Sequence, residues 1–125
     1  MTENEISKIV FELGLKIHRK LGVGLYERVY EECLMYELKK AGLKAERQKF
    51  QAIQYEELFF ERAYRMDILV EDKVVIDLKS VEFISDSNTK QLNNYLRLGN
   101  YKLGMILNFN SPLFKDGVKR VANGL

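Results

Sequence analysis

The sequence predicts an α/β domain, one mixed sheet with helices packed on both of its faces. Three observations predict it. Segments with helical spacing and segments of strand character follow one another as helix, helix, three strands, helix, strand. The helix between the third and fourth strands implies a right-handed crossover, which makes those two strands parallel. The second and third strands, at Met66-Asp67-Ile68-Leu69-Val70 and Val74-Val75-Ile76-Asp77-Leu78-Lys79, are apolar on both faces, and such strands need cover on both sides.

Each element has its own signal. Thr2 and Glu5 have capping-box spacing, and Ile6, Ile9, Val10, Leu13, Ile17 and Leu21 follow at helical intervals. This first helix should end near Gly22-Val23-Gly24, where glycines permit a sharp turn. A second helix is expected from about Leu25 to Ala41, stopping at Gly42. Lys44 to Tyr55 reads as the first strand, Glu57 to Val70 as a longer second strand and Val74 to Val81 as the third, joined as a meander. Ser85-Asp86-Ser87 offers caps for a helix from about Asn88 to Leu98, which ends at Gly99. Tyr101 to Phe109 is the fourth strand, and Val118 to Ala122 offers a short edge segment.

Length and composition set the bounds. The 125 residues suffice for a real core and are read as a single domain, 1–125. A net charge of +2 neither demands nor excludes a nucleic-acid partner. The grouped lysines and arginines, such as Lys16, Arg19 and Lys20, are each explained by a solvated helix face. Cys33 is the only cysteine, which excludes an internal disulfide and a cysteine-rich metal site within the chain. The start is not a signal peptide and no apolar run spans a membrane, so a cytoplasmic protein is expected, with no membrane partner.

The acids of the two central strands are the main candidates for chemistry. Burying a carboxylate is costly unless a cation pairs with it. Side chains alternate along a strand, so Asp77 and Lys79 share a face with Val75. If Glu71-Asp72-Lys73 is a three-residue hairpin loop, Val70 pairs with Val74, Leu69 with Val75, and Asp67 falls opposite Asp77. Opposed side chains have Cβ atoms about 4.5–5.5 Å apart, where like charges repel unless a cation lies between them. A two-residue loop would split the acids between the faces. The competing explanation is two edge aspartates reaching water, with Lys79 an ordinary solvated charge.

Glu27 is the next candidate, because Leu34 and Leu38 lie within about 20° of it on an ideal helix. It therefore follows the apolar stripe, whereas Glu31, Glu32 and Glu37 read as helix-surface acids. A first-turn glutamate favoured by the helix dipole is the plainer alternative. His18, the only histidine, lies in a row with Phe11 and Gly14, where the missing side chain leaves room for an ion or phosphate. Alone, such a histidine is more often structural. Gln91 and Tyr95 are four residues apart and share a helix face. A surface amide and a half-buried tyrosine explain them equally well.

Gly24-Leu25-Tyr26-Glu27-Arg28-Val29-Tyr30, preceded by Ile17-His18-Arg19-Lys20-Leu21-Gly22-Val23, resembles the family named for its GxxExxY motif, a branch of the PD-(D/E)XK nuclease superfamily. The resemblance continues through Tyr64-Arg65-Met66-Asp67, Ile76-Asp77-Leu78-Lys79 and Gln91-Leu92-Asn93-Asn94-Tyr95, and closes at Ile106-Leu107-Asn108-Phe109. The (D/E)xK element alone is weak; five ordered elements over one domain are not. The resemblance implies a PD-(D/E)XK restriction-endonuclease-like core in which Asp67 and Asp77 hold a divalent metal, magnesium or manganese. It implies that Lys79 positions or activates the attacking water and that Glu27 is an additional acid. Gln91 and Tyr95 look like the QxxxY element of RecB-type nucleases, which lies beside the active site and DNA. His18 is similar in position to a metal-binding histidine of that branch. Met66 stands where the family pattern has proline, and Asp77 where glutamate is an alternative; neither inactivates the motif.

The activity implied is hydrolysis of phosphodiester bonds in nucleic acid, DNA before RNA, by metal-activated water. Two rival readings stay open: a nuclease-like fold that binds nucleic acid without cutting it, and a partner subunit in a larger complex or homo-oligomer. Whether His18 and Glu27 bind one metal, bind a second, or orient the water is likewise open.

Overall fold

The computed structural model describes residues 1–125. Helices α1 (Glu3–Leu21) and α2 (Glu27–Lys40) come first, followed by strands β1 (Ala45–Tyr55), β2 (Leu58–Val70) and β3 (Val74–Lys79). Helix α3 (Asp86–Gly99) leads to β4 (Leu103–Asn108), and a short 3-10 turn, Phe114–Gly117, precedes β5 (Val118–Ala122). The five strands form one sheet in the order β1-β2-β3-β4-β5. All neighbours are antiparallel except β3 and β4, which run parallel across the α3 crossover. This is the mixed sheet that the order of elements predicts, and the edge segment at Val118–Ala122 forms. No helix is long and apolar enough to cross a membrane.

Local chemistry sets the boundaries. Thr2 and Glu5 form the capping box, so α1 starts at Glu3, one turn before its apolar stripe. Ser85 and Asn88 cap α3 in the same reciprocal way. Helix α2 begins two residues later than expected, at Glu27, because the chain first turns through Gly24 with φ +91°, open to glycine at no steric cost. The β2–β3 connection is the three-residue loop Glu71-Asp72-Lys73. Glu71 and Asp72 are both left-handed, and Lys73 N–H donates to Val70 C=O at 3.0 Å. Two positive φ values in succession belong to the primed turns that match strand twist. The resulting register pairs Val70 with Val74, Leu69 with Val75 and Ile68 with Ile76.

The sheet is covered on both faces. Ile68, Val70, Val74, Ile76, Leu78, Met105 and Leu107 pack under α1 and α2 in the larger core. On the other face, Met66, Leu69, Val75 and Ile106 pack under Leu92 and Leu96 of α3. A Cβ on Gly104 would lie 3.0 Å from Leu92, so the glycine lets α3 seat closely on β4. Only the outer half of the β1–β2 hairpin lacks cover. Its apolar residues Tyr55, Leu58, Phe59 and Phe60 are exposed.

Glu31 and Glu37 depart from the expectation for helix-surface acids, for both are buried. Each lies on the α2 face that carries Leu34 and Leu38, and each is paired. Lys16 Nζ of α1 donates to both Glu37 oxygens, at 3.0 and 2.8 Å. Arg47 of β1 holds Glu31 at 2.6 Å. A buried carboxylate without such partners would be strongly destabilising.

Candidate active site

The β2–β3 ladder ends at Ile68 and Ile76. One residue further, Asp67 and Asp77 face each other on the α3 side of the sheet, as the three-residue loop requires. The strands part here, and the Asp67 side chain fills the gap: its Oδ2 accepts the Leu78 backbone N–H at 2.8 Å. A main-chain donor that would otherwise be orphaned is thereby satisfied by a carboxylate. Lys79 Nζ stands 3.6 Å from Asp77 Oδ1, too far for a hydrogen bond but close enough for attraction.

Burial pushes the Asp77 carboxyl up to about 7; the Lys79 ammonium opposes this and the Asp67 carboxylate adds to it. Two carboxylates therefore meet in a partly desolvated place, with the single ammonium of Lys79 offsetting their charge in part. A divalent cation between two oxygen donors is the species that offsets the rest. The donor set thus fits a hard cation. No third acid, histidine or cysteine closes around the pair, so any such ion keeps much of its coordination for water and substrate.

One open cleft is lined by Glu27, Asp67, Asp77, Lys79, Gln91 and Tyr95 together. Arg65 and Phe50 complete its β1–β2 wall. Glu27 reaches the cleft from the start of α2, where it is exposed. Tyr30 fixes that start: its hydroxyl donates to Gly22 C=O at 2.7 Å and accepts Leu25 N–H at 3.3 Å, while its ring stacks on Phe109 at 4.4 Å. Gln91 is exposed on α3 and Tyr95 half-buried beside it. The Tyr95 ring stacks on Tyr64 at 3.9 Å, and Tyr64 Oη donates to Tyr95 C=O at 2.7 Å. Burial, with Tyr101 and Tyr95 nearby, pushes the Tyr64 phenol up to about 12, so it remains a donor.

His18 does not line the cleft. It is buried, and its Nε2 lies 2.8 Å from Ser111 C=O, beyond β4. The space beside Gly14 is filled, not free: an added Cβ there would come within 2.4 Å of the Phe114 ring. Phe114 also packs on the imidazole, with ring centres 5.6 Å apart. The expectation of a metal-binding His18 gives way to a histidine that ties α1 to the β4–β5 connection. The glycine admits an aromatic ring rather than an ion.

Two features escaped the sequence reading. Asn108, nearly wholly buried at the end of β4, brackets the start of the α3 crossover. Its Oδ1 accepts from Val81 and Asn110 N–H, and its Nδ2 donates to Val81 C=O at 2.9 Å. Glu31 meets Arg47 and Gln48 beside Asp67, along a shallow second recess. A signal existed for Glu31, which lies three and seven residues before Leu34 and Leu38 and so follows the buried stripe. Nothing in the chain announced its β1 partners.

A family model described as the PD-(D/E)XK nuclease superfamily matches residues 4–121. No curated protein matches the chain. The matched span contains the whole cleft and, but for the last residue of β5, all five strands, and the mixed sheet flanked by three helices accords with the PD-(D/E)XK nuclease-like fold.

Proposed function

The chain belongs to the PD-(D/E)XK nuclease superfamily, and we propose that it is a metal-dependent phosphodiesterase acting on nucleic acid, DNA before RNA. We read residues 1–125 as one catalytic domain of the GxxExxY branch, on Gly24, Glu27 and Tyr30. The observation that carries the reading is the meeting of Asp67, Asp77 and Lys79 in one cleft, two carboxylates against one ammonium.

Asp67 and Asp77 are the residues that would hold magnesium or manganese, with Glu27 across the cleft. When bound, the cation supplies a water of lowered pKa and shields the phosphate's negative charge. The chain's own residues do the rest. The Asp67 carboxylate is oriented by the Leu78 N–H. The Lys79 ammonium lies where anionic charge develops on the phosphate. Glu27, held by the turn that Tyr30 fastens, orients water or ligates. Gln91 and the Tyr95 edge offer polar contacts to the nucleic-acid strand. The net reaction adds water across one P–O bond.

Labelled single- and double-stranded DNA and RNA, incubated with metal-free protein and then with magnesium or manganese, test this. Cleavage that requires the metal and is lost in Asp77→Asn is the expected result. Salt-sensitive binding without cleavage would make the chain a binding module instead. Neither binding nor cleavage of any of the four substrates would overturn the proposal.

A further inference from the structure

Gln48 is the one strand residue with a left-handed backbone, at φ 53°. The β1–β2 ladder is regular on either side, pairing Arg47 with Ile68 and Lys49 with Met66, yet the intervening position, Gln48 against Asp67, is unpaired. The chain also changes face there. Ile68 packs under α1 and α2, whereas Met66, two residues away, packs under α3. A regular strand would put both on one side. The kink lies where Asp67 leaves the ladder and takes the Leu78 N–H.

A side-chain network clamps this kink. The buried Glu31 accepts from Gln48 Nε2 through Oε1 and from Arg47 through Oε2. The Gln48 amide oxygen is buried and has no partner. The amide is thus committed to one bond, on a residue whose backbone conformation is itself unfavourable. Strain of this kind persists only where surrounding contacts over-determine it. The contact in question is Glu31, which reaches from α2 across to β1.

We infer that Glu31 is a positioning residue: through Gln48 and Arg47 it holds the β1 kink that presents Asp67 to the cleft. The inference deepens the proposed function and rests on Asp67 being a metal ligand there. Glu37 is a natural control, a second buried α2 glutamate with its own cation, Lys16, in a recess between α1 and α2 that Asp67 does not line. A generic loss of a buried ion pair should affect both alike.

The experiment compares wild type, Glu31→Gln and Glu37→Gln, all metal-free at the start. Thermal stability, manganese affinity by calorimetry and Leu78 amide exchange by NMR are read on each. Both variants should lose stability. Only Glu31→Gln should lose manganese affinity, by about tenfold or more, as partners behind metal ligands do. Only Glu31→Gln should exchange its Leu78 amide faster, by a similar factor. Glu31→Gln behaving like Glu37→Gln in both readouts would overturn the inference. Should Glu31→Gln fail to fold, Gln48→Gly serves: glycine reaches the left-handed conformation freely but loses the bond to Glu31. Its expected profile is the same, and unchanged manganese affinity with a protected Leu78 amide would count against the network. If the wild type binds no manganese, the metal reading fails, while Leu78 exchange still decides the positioning.

Discussion

Asp67 Oδ2 accepts the backbone N–H of Leu78, eleven residues further along the chain and the neighbour of Asp77, at 2.8 Å. One carboxylate therefore serves two purposes, closing a gap in the sheet and contributing charge to the cleft. The two can be separated. Asp67→Asn keeps an oxygen for Leu78 and removes the charge; Asp67→Ala removes both. The alanine variant leaves a buried N–H unpartnered, which costs about 1–3 kcal/mol. Metal-free Asp67→Ala should be destabilised in denaturant titrations by about that amount, less the repulsion relieved. Asp67→Asn should equal or exceed wild type. Equal stability of the two variants would show that the hydrogen bond contributes nothing.

The Asp77 carboxyl has a folded value of about 7 against an ordinary 3.8. Its folded state holds the proton more tightly than the unfolded state does. The group therefore favours folding below about pH 4, and that contribution is lost progressively as pH rises to about 7. Metal-free wild type should lose a few kcal/mol of stability across this window relative to Asp77→Asn, which has no such group. Saturating magnesium should flatten the difference. Unfolding free energies of the two proteins that run parallel from pH 4 to 8 would refute the raised Asp77 value.

Lys79 opposes the upward shift of Asp77. Lys79→Ala should therefore raise the Asp77 value further, visible in a carboxyl NMR titration of metal-free protein. Turnover should fall by about 10²–10³, as when one charge-stabilising group is removed from a transition state. Magnesium affinity should change much less. Equal losses in turnover and affinity would make the lysine structural.

His18 and Gly14 should matter to stability alone. Gly14→Ala drives a methyl into the Phe114 ring, an overpacking that costs about 1–3 kcal/mol. His18→Ala removes the bond to Ser111 C=O and the ring contact with Phe114. Magnesium titration should find the affinity of both variants unchanged. A tenfold loss of affinity in His18→Ala at preserved fold would return the histidine to the site.

Tyr30 joins the turn before α2 to the core. Tyr30→Phe keeps the stacking on Phe109 but loses both hydroxyl bonds, at a cost of about 1 kcal/mol each. The freed turn should loosen Glu27. Activity should fall further than in Tyr36→Phe, whose ring is exposed. Identical activities would place Glu27 outside the chemistry.

Much of this was legible in the chain because it is periodic or local. Helical spacing, the Thr2/Glu5 capping box and the candidate caps at Ser85-Asp86-Ser87 suffice to order the elements, and a three-residue Glu71-Asp72-Lys73 loop, once chosen over a two-residue one, sets the register that opposes Asp67 and Asp77. The parallel β3–β4 pair follows from the intervening helix. These features depend on neighbours within a few residues, where propensity and turn geometry dominate. The sequence by itself determined the element order, the crossover and the shared face of Asp77 and Lys79. Tertiary structure alone decided what fills each space between elements. It gave the room beside Gly14 to Phe114 and turned His18 toward Ser111. It buried Glu31 against Arg47 and Gln48, and it bent β1 where Asp67 leaves the ladder. Those outcomes depend on side chains that meet across sixteen to one hundred residues of chain, and no local pattern encodes which distant atoms meet.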